Sequence, residues 1–107
     1  MPTYITLLRY TQKGIENIRD HPSRVEKAQA AVKAYGGELK ALYLTMGHYD
    51  EVAILEMPDD TSYAKFTLAT SSQGWVRSET LHGFTNEEWH EILVGLPSQD
   101  APKEMTS

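Results

Sequence analysis

The sequence predicts an α+β domain with the element order βαββαβ: an antiparallel four-stranded sheet, two helices on one face and an added C-terminal helix. Three observations carry that prediction. The stretch from Tyr43 to Met57 reads as two short strands joined at Gly47-His48-Tyr49-Asp50. A strand and a helix precede it, and a helix and a strand follow it. At 107 residues the chain is long enough for one core but not for two.

Taken in order, Thr3 to Arg9 is short and rich in β-formers, so it is the first strand. A brief helical turn follows within Gln12 to Arg19. Asp20 then stands where a cap belongs, with Pro22 in the first turn, where a missing N–H costs nothing. Val25, Ala28, Val32 and Tyr35 recur at spacings of three and four, which makes one apolar stripe. Gly36-Gly37 supplies the left-handed stop.

The second strand is expected over Glu38 to Met46 and the third over Glu51 to Met57. Pro58-Asp59-Asp60 closes the third strand and caps a helix over Thr61 to Ser71, in which Tyr63, Phe66 and Thr70 share a face. Ser71 to Gly74 is turn chemistry, and Trp75 to His82 is the fourth strand. Thr85 and Glu88 have the spacing of a capping box, and Phe84 and Trp89 that of a hydrophobic staple. A single domain over 1–95 and a loose tail over 96–107 follow from this layout.

This order is the split βαβ arrangement of a ferredoxin-like domain. In the first strand Ile5 and Leu7 alternate with Tyr4, Thr6 and Leu8, so neither face is plainly polar. In the third, Val52 and Ile54 oppose Ala53 and Leu55. Two helices cover one side of a sheet. The other side is therefore expected to meet a second copy as a two-fold dimer, with Leu8 taken as a contact residue. A monomer with scattered exposed apolar residues is the plainer alternative.

Lys and Arg total 10 against 15 Asp and Glu, for a net charge of -5. A mildly acidic chain without a basic cluster is a poor partner for nucleic acid, which needs cations to replace phosphate counterions. No apolar run approaches the roughly 20 residues that cross a bilayer. The N-terminal residues do not resemble a signal peptide, and cysteine is absent, so a cytoplasmic protein without disulfides or thiolate chemistry is expected.

Gly47, Tyr49 and Asp50, with His48 between, resemble the signature of the GYD domain family. Pro2 to Leu8, Tyr43 to Gly47, Pro58 to Asp60 and Val76 to Leu81 support the resemblance, which runs from Pro2 to about Leu93. It implies a ferredoxin-like fold that dimerises as an α/β barrel, and no established activity. The ligand-binding modules of leucine-responsive-type regulators are a more distant similarity, with glycine-x-tyrosine-aspartate between their central strands. This chain lacks their DNA-binding helix-turn-helix and resembles the sensing half standing alone.

Candidate site residues gather around the central connection and the fourth strand. Gly47 supplies a positive φ. Asp50 either bonds nearby amides in the turn or presents a carboxylate at a pocket rim. Tyr49 either packs or orients a ligand through its hydroxyl. His48, in a loop, is either solvated or able to transfer a proton near neutral pH. Thr80 and His82 share a strand face; with Thr6, Tyr43 and Thr45 they would make a polar pocket holding a titratable group. Trp75 adds an aromatic wall.

His21, His48, His82 and His90 show no paired metal-ligand spacing, so no metal is expected. No nucleophile elbow, phosphate loop or dinucleotide fingerprint occurs, and no cofactor is expected. The sequence thus favours an oligomeric module that binds or senses a small organic ligand. The rivals are a cofactor-independent monooxygenase or isomerase for a small aromatic compound, using His48 or His82, and a purely structural assembly protein.

Overall fold

The computed structural model describes residues 1–98. The chain runs β1 (Thr3–Tyr10), α1 (Gln12–Glu16), a 3-10 turn (Ile18–Asp20), α2 (His21–Ala34), β2 (Glu38–Leu44), β3 (Glu51–Glu56), α3 (Asp60–Ser71), β4 (Val76–Gly83) and α4 (Asn86–Val94). The strands form one antiparallel sheet in the order β2-β3-β1-β4. That is the expected α+β arrangement. Apart from residues 96–98, the expected tail lies outside the described residues.

Differences at element ends have local causes. β2 stops at Leu44 because Thr45 turns into the connection: its N–H donates to the Asp50 carbonyl (2.8 Å) and its hydroxyl to the Tyr49 carbonyl (2.7 Å). β4 begins one residue late because the Trp75 carbonyl accepts from the Thr11 N–H (3.1 Å), off the ladder. Asp20 stands at the N-cap of α2, but its side chain makes no capping bond, so Pro22 alone marks that start.

Three other end signals are realised. Asp59 caps α3 by accepting from the Ser62 N–H at 2.8 Å. Thr85 and Glu88 form both bonds of the capping box, at 2.9 and 3.1 Å. Gly36 ends α2 with φ +84°, and Gly37 lies so close to the Glu56 carbonyl and the Met57 sulfur that a Cβ would overlap both.

Register decides the faces. Tyr4, Thr6 and Leu8 point toward the helices, opposite Leu55, Ala53 and Glu51 on β3 and His82, Thr80 and Ser78 on β4. An irregularity between Leu39 and Ala41 lets Leu39 and Leu42, three apart, both pair with inward residues of β3. Val32, Leu55 and Met57 are fully buried, with Tyr63 and Phe66 of α3 beside them.

Ile5, Leu7, Val52, Ile54, Tyr43 and Leu81 occupy the face away from the helices. Tyr43 is 61% exposed and Leu81 48%. The expected contact at Leu8 is corrected by this register, since Leu8 packs against the core and Leu7 takes the open face. α4 leaves Trp89, Ile92, Leu93 and Val94 exposed. No helix among the described residues is long and apolar enough to cross a membrane.

Candidate functional site

A cavity of about 160 Å³ opens between α2, α3 and the inward face of the sheet. Its floor is Thr6 and Leu8 of β1, Ala53 and Leu55 of β3, and Leu39 and Leu42 of β2. Val25, Ala28 and Val32 wall it from α2, and Phe66, Thr67 and Thr70 from α3. The α2 stripe makes an apolar wall here because its inner residues are small. Alanine at 28 and 31 leaves space that larger side chains would fill.

Polar groups gather at the end where α2 starts. His21 stands four residues before Val25 and Arg24 four before Ala28, so both continue the inward face by one turn. Glu51, the first residue of β3, is 5% exposed and on the inward face. Its Oε1 meets His21 Nε2, and the Tyr10 hydroxyl donates to the same oxygen at 2.6 Å. Burial, and then the bond to Glu51, push the Tyr10 phenol above its ordinary value. The Tyr10 and His21 rings meet edge-on at 5.9 Å.

Trp75 completes this end. Arg24 lies over its ring at 4.6 Å from the centroid, and Lys13 also lies over it at 4.4 Å. Gly14 holds the Trp75 backbone in place, because its bare Cα sits where a Cβ would overlap the Trp75 carbonyl. Arg24 Nη1 donates to the Asn17 carbonyl at 2.9 Å. Two polar atoms of cavity-lining residues are buried without a partner: Nη2 of Arg24 and Oγ1 of Thr67.

The residues singled out from sequence are dispersed. Trp75 lines the cavity. Thr6 and Thr80 do come together, but the Tyr63 hydroxyl sits between them, bonded at 2.6 and 2.7 Å, and fills the space expected to be a pocket. His82 stacks on Tyr4 (5.4 Å) and Phe84 (5.0 Å), and Tyr4 stacks on Tyr63 (4.2 Å), so this half of the sheet is packed by rings. Tyr43 and Thr45 do not join that group: Tyr43 is on the open face, and Thr45 braces the connection.

Asp50 ties the connection to β1 rather than bonding nearby amides in the turn, its N–H donating to the Leu8 carbonyl at 2.8 Å and its carboxylate accepting from the Tyr10 N–H at 2.9 Å. Gly47 has φ +114°. His48 is exposed and bonded to Arg9, which also lies 5.3 Å over the Tyr49 ring. Tyr49 donates to Glu79, and that bond raises its phenol. Arg9, Tyr49 and Glu79 rim an open depression on the outer face with Leu7 and Arg77. Among the described residues no cluster of three or more His, Asp or Glu could hold a metal ion.

His21, Arg24, Glu51 and Thr67 are site residues that no sequence motif indicates, although two periodicities contain His21 and Glu51. Extending the α2 stripe back one turn reaches His21, and counting back by two from Leu55 and Ala53 reaches Glu51. No sequence signal brings the two together.

The chain belongs to the GYD domain family, whose match covers residues 4–93. A Thermus thermophilus protein named glutamine synthetase and cystathionine beta-lyase binding protein is 33% identical over 82 residues, which is 76% of this chain and 86% of that one. Two solved structures share the fold. TTHA0845 from Thermus thermophilus has 24% identity and a TM-score of 0.51, covering 79% of this chain and 95% of that one. The 5-chloro-2-hydroxyhydroquinone dehydrochlorinase of Burkholderia phenoliruptrix AC1100, in complex with 2,5-dihydroxybenzoquinone, has 11% identity and a TM-score of 0.57, covering 81% and 97%.

Proposed function

We propose that this GYD-domain protein is a homo-oligomeric module that binds a small organic molecule in the cavity beneath α2 and α3. The cavity itself is the observation that supports the reading. Interiors of small domains are close-packed, and a space of about 160 Å³ walled by alanines with a polar end is an open place in such a core. Its size selects the guest. Drug-sized ligands occupy roughly 300–1,000 Å³, whereas an apolar cavity of about 150 Å³ accommodates a single benzene ring. One ring with a small polar substituent is the scale that fits.

The oligomer is a two-fold dimer through the open sheet face. Ile5, Leu7, Val52 and Ile54 form a continuous apolar centre there, with Tyr43 and Leu81 beside them. On that face His48, Tyr49 and Arg9 serve the contact between copies rather than the ligand. Trp75 serves the ligand.

A second reading has its own support. The Thermus thermophilus relative is named for binding two enzymes, and an apolar sheet face suits a protein partner as well as a second copy. Native mass spectrometry of protein purified from its own host separates the two. A dimer carrying one reproducible small adduct per protomer, lost when Ala28→Phe fills the cavity, is the result expected. A ligand-free dimer would overturn the ligand, and a co-purifying enzyme subunit would favour the second reading.

A further inference from the structure

We infer that the cavity selects a small organic carboxylate, whose charged group is held by Arg24 and Thr67 while its ring lies on the apolar floor. The inference deepens the cavity reading and rests on it.

Arg24 is a cation of the cavity lining without a counter-charge. Among the described residues no carboxylate lies within ion-pair distance of its guanidinium. Its engagements are the Asn17 carbonyl and the face of Trp75, which leave Nη2 buried and unpartnered. A buried donor on a charged group that finds no acceptor is expensive, more so than a neutral one. Thr67, on the facing helix, has the same condition at its hydroxyl oxygen, and both residues line the one cavity. An N–H fork and a hydroxyl are both donors. The group that satisfies both at once is an acceptor with two oxygens and a negative charge.

The other charges at the site agree. Glu51 is the acidic residue of the cavity wall, and its Oε1 is already engaged by His21 and the Tyr10 hydroxyl. Lys27 also lines the cavity, and Lys13 stands on the Trp75 ring. A cationic guest would meet Arg24 and Lys27. A dianion such as phosphate would find an apolar floor of Leu8, Ala53 and Leu55. A monoanionic carboxylate on one ring meets neither obstacle.

Isothermal titration of the full chain with benzoate and its neutral isostere benzamide tests this. Benzoate is expected to bind at least about tenfold more tightly than benzamide, the scale of one charge-assisted bond. Arg24→Met, checked for native melting, is expected to remove that preference, bringing benzoate down to the affinity of benzamide, and Thr67→Val to weaken benzoate severalfold. Equal affinities, or benzoate binding indifferent to Arg24→Met, would overturn the carboxylate and leave the cavity reading standing. Binding of neither probe to the native protein would overturn both.

Discussion

Glu51 and His21 meet across the polar end of the cavity, carboxylate Oε1 against imidazole Nε2, although thirty positions separate them in the chain. Each is the first residue of its element, β3 and α2. The Tyr10 hydroxyl joins the same oxygen at 2.6 Å, so one buried acceptor ties β1, β3 and α2 together.

Removing that acceptor orphans two groups. Glu51→Ala is expected to cost about 1–3 kcal/mol, because the Tyr10 hydroxyl and the His21 ring lose their partner in a partly buried place. Tyr10→Phe deletes a single donor and should cost about 1 kcal/mol. Urea denaturation of both variants is the check. A Glu51→Ala protein as stable as the parent would show that the cluster holds nothing.

The open face makes a sharper contrast. Leu7 points outward and Leu8 inward, one residue apart. Leu7→Asp should yield a folded monomer, since a charge placed in an apolar interface costs several kcal/mol, enough to weaken association roughly a hundredfold or more. Leu8→Asp places the same charge against the core and should lower the melting temperature instead. Sedimentation and thermal melting read the two effects. A tight Leu7→Asp dimer would remove this face as the contact.

Adjacent glycines after α2 are needed for different reasons. Gly36 has φ +84°, where a side chain costs about 1–2 kcal/mol. Gly37 has no room, because its Cβ would overlap the Glu56 carbonyl and the Met57 sulfur, and β3 would have to shift. Gly37→Ala is expected to cost about 3 kcal/mol, the upper end for overpacking. Equal losses at the two sites in denaturation would contradict this account.

Stability should fall at both extremes of pH. Burial, then its bond to Asp60, push the Tyr4 phenol up to about 12. The contribution of a group raised in the fold is whole below the unfolded value of about 10 and is lost as pH climbs through the folded one. Asp59 and Glu88 are held below the usual carboxylate range by the Ser62 and Thr85 N–H groups. Their contribution is present above unfolded values of about 4 and is lost as pH falls through the lowered ones. Asp59→Asn keeps a capping oxygen but cannot titrate, so its melting temperature should decline less steeply with acid. Superimposable acid limbs for parent and variant would refute the role of Asp59.

The sequence alone determined the elements, since their signals are local. A capping box at Thr85 and Glu88, an Asp59 cap, paired glycines after Tyr35 and strand alternation each act within a few residues, and each is where it was expected. Gly47 belongs to the same class, since its φ of +114° needs nothing distant, whereas the Asp50 carboxylate reaches the Tyr10 N–H, forty positions away.

Tertiary structure alone decided the site. Parity tells that Thr6 and Thr80 share a side, but the Tyr63 hydroxyl from α3 closes the space between them. It also tells that Tyr43 alternates with Leu42, but the irregularity at Leu39 and Ala41 settles which of the two faces outward. The pair His21 and Arg24 of α2, Glu51 and Trp75 come from three separate parts of the chain, and they converge because the sheet carries β3 past β1 beneath the start of α2. Local propensity acts over one turn or one strand pair. A cavity is space left where distant side chains fall short, and its existence depends on how all of them pack.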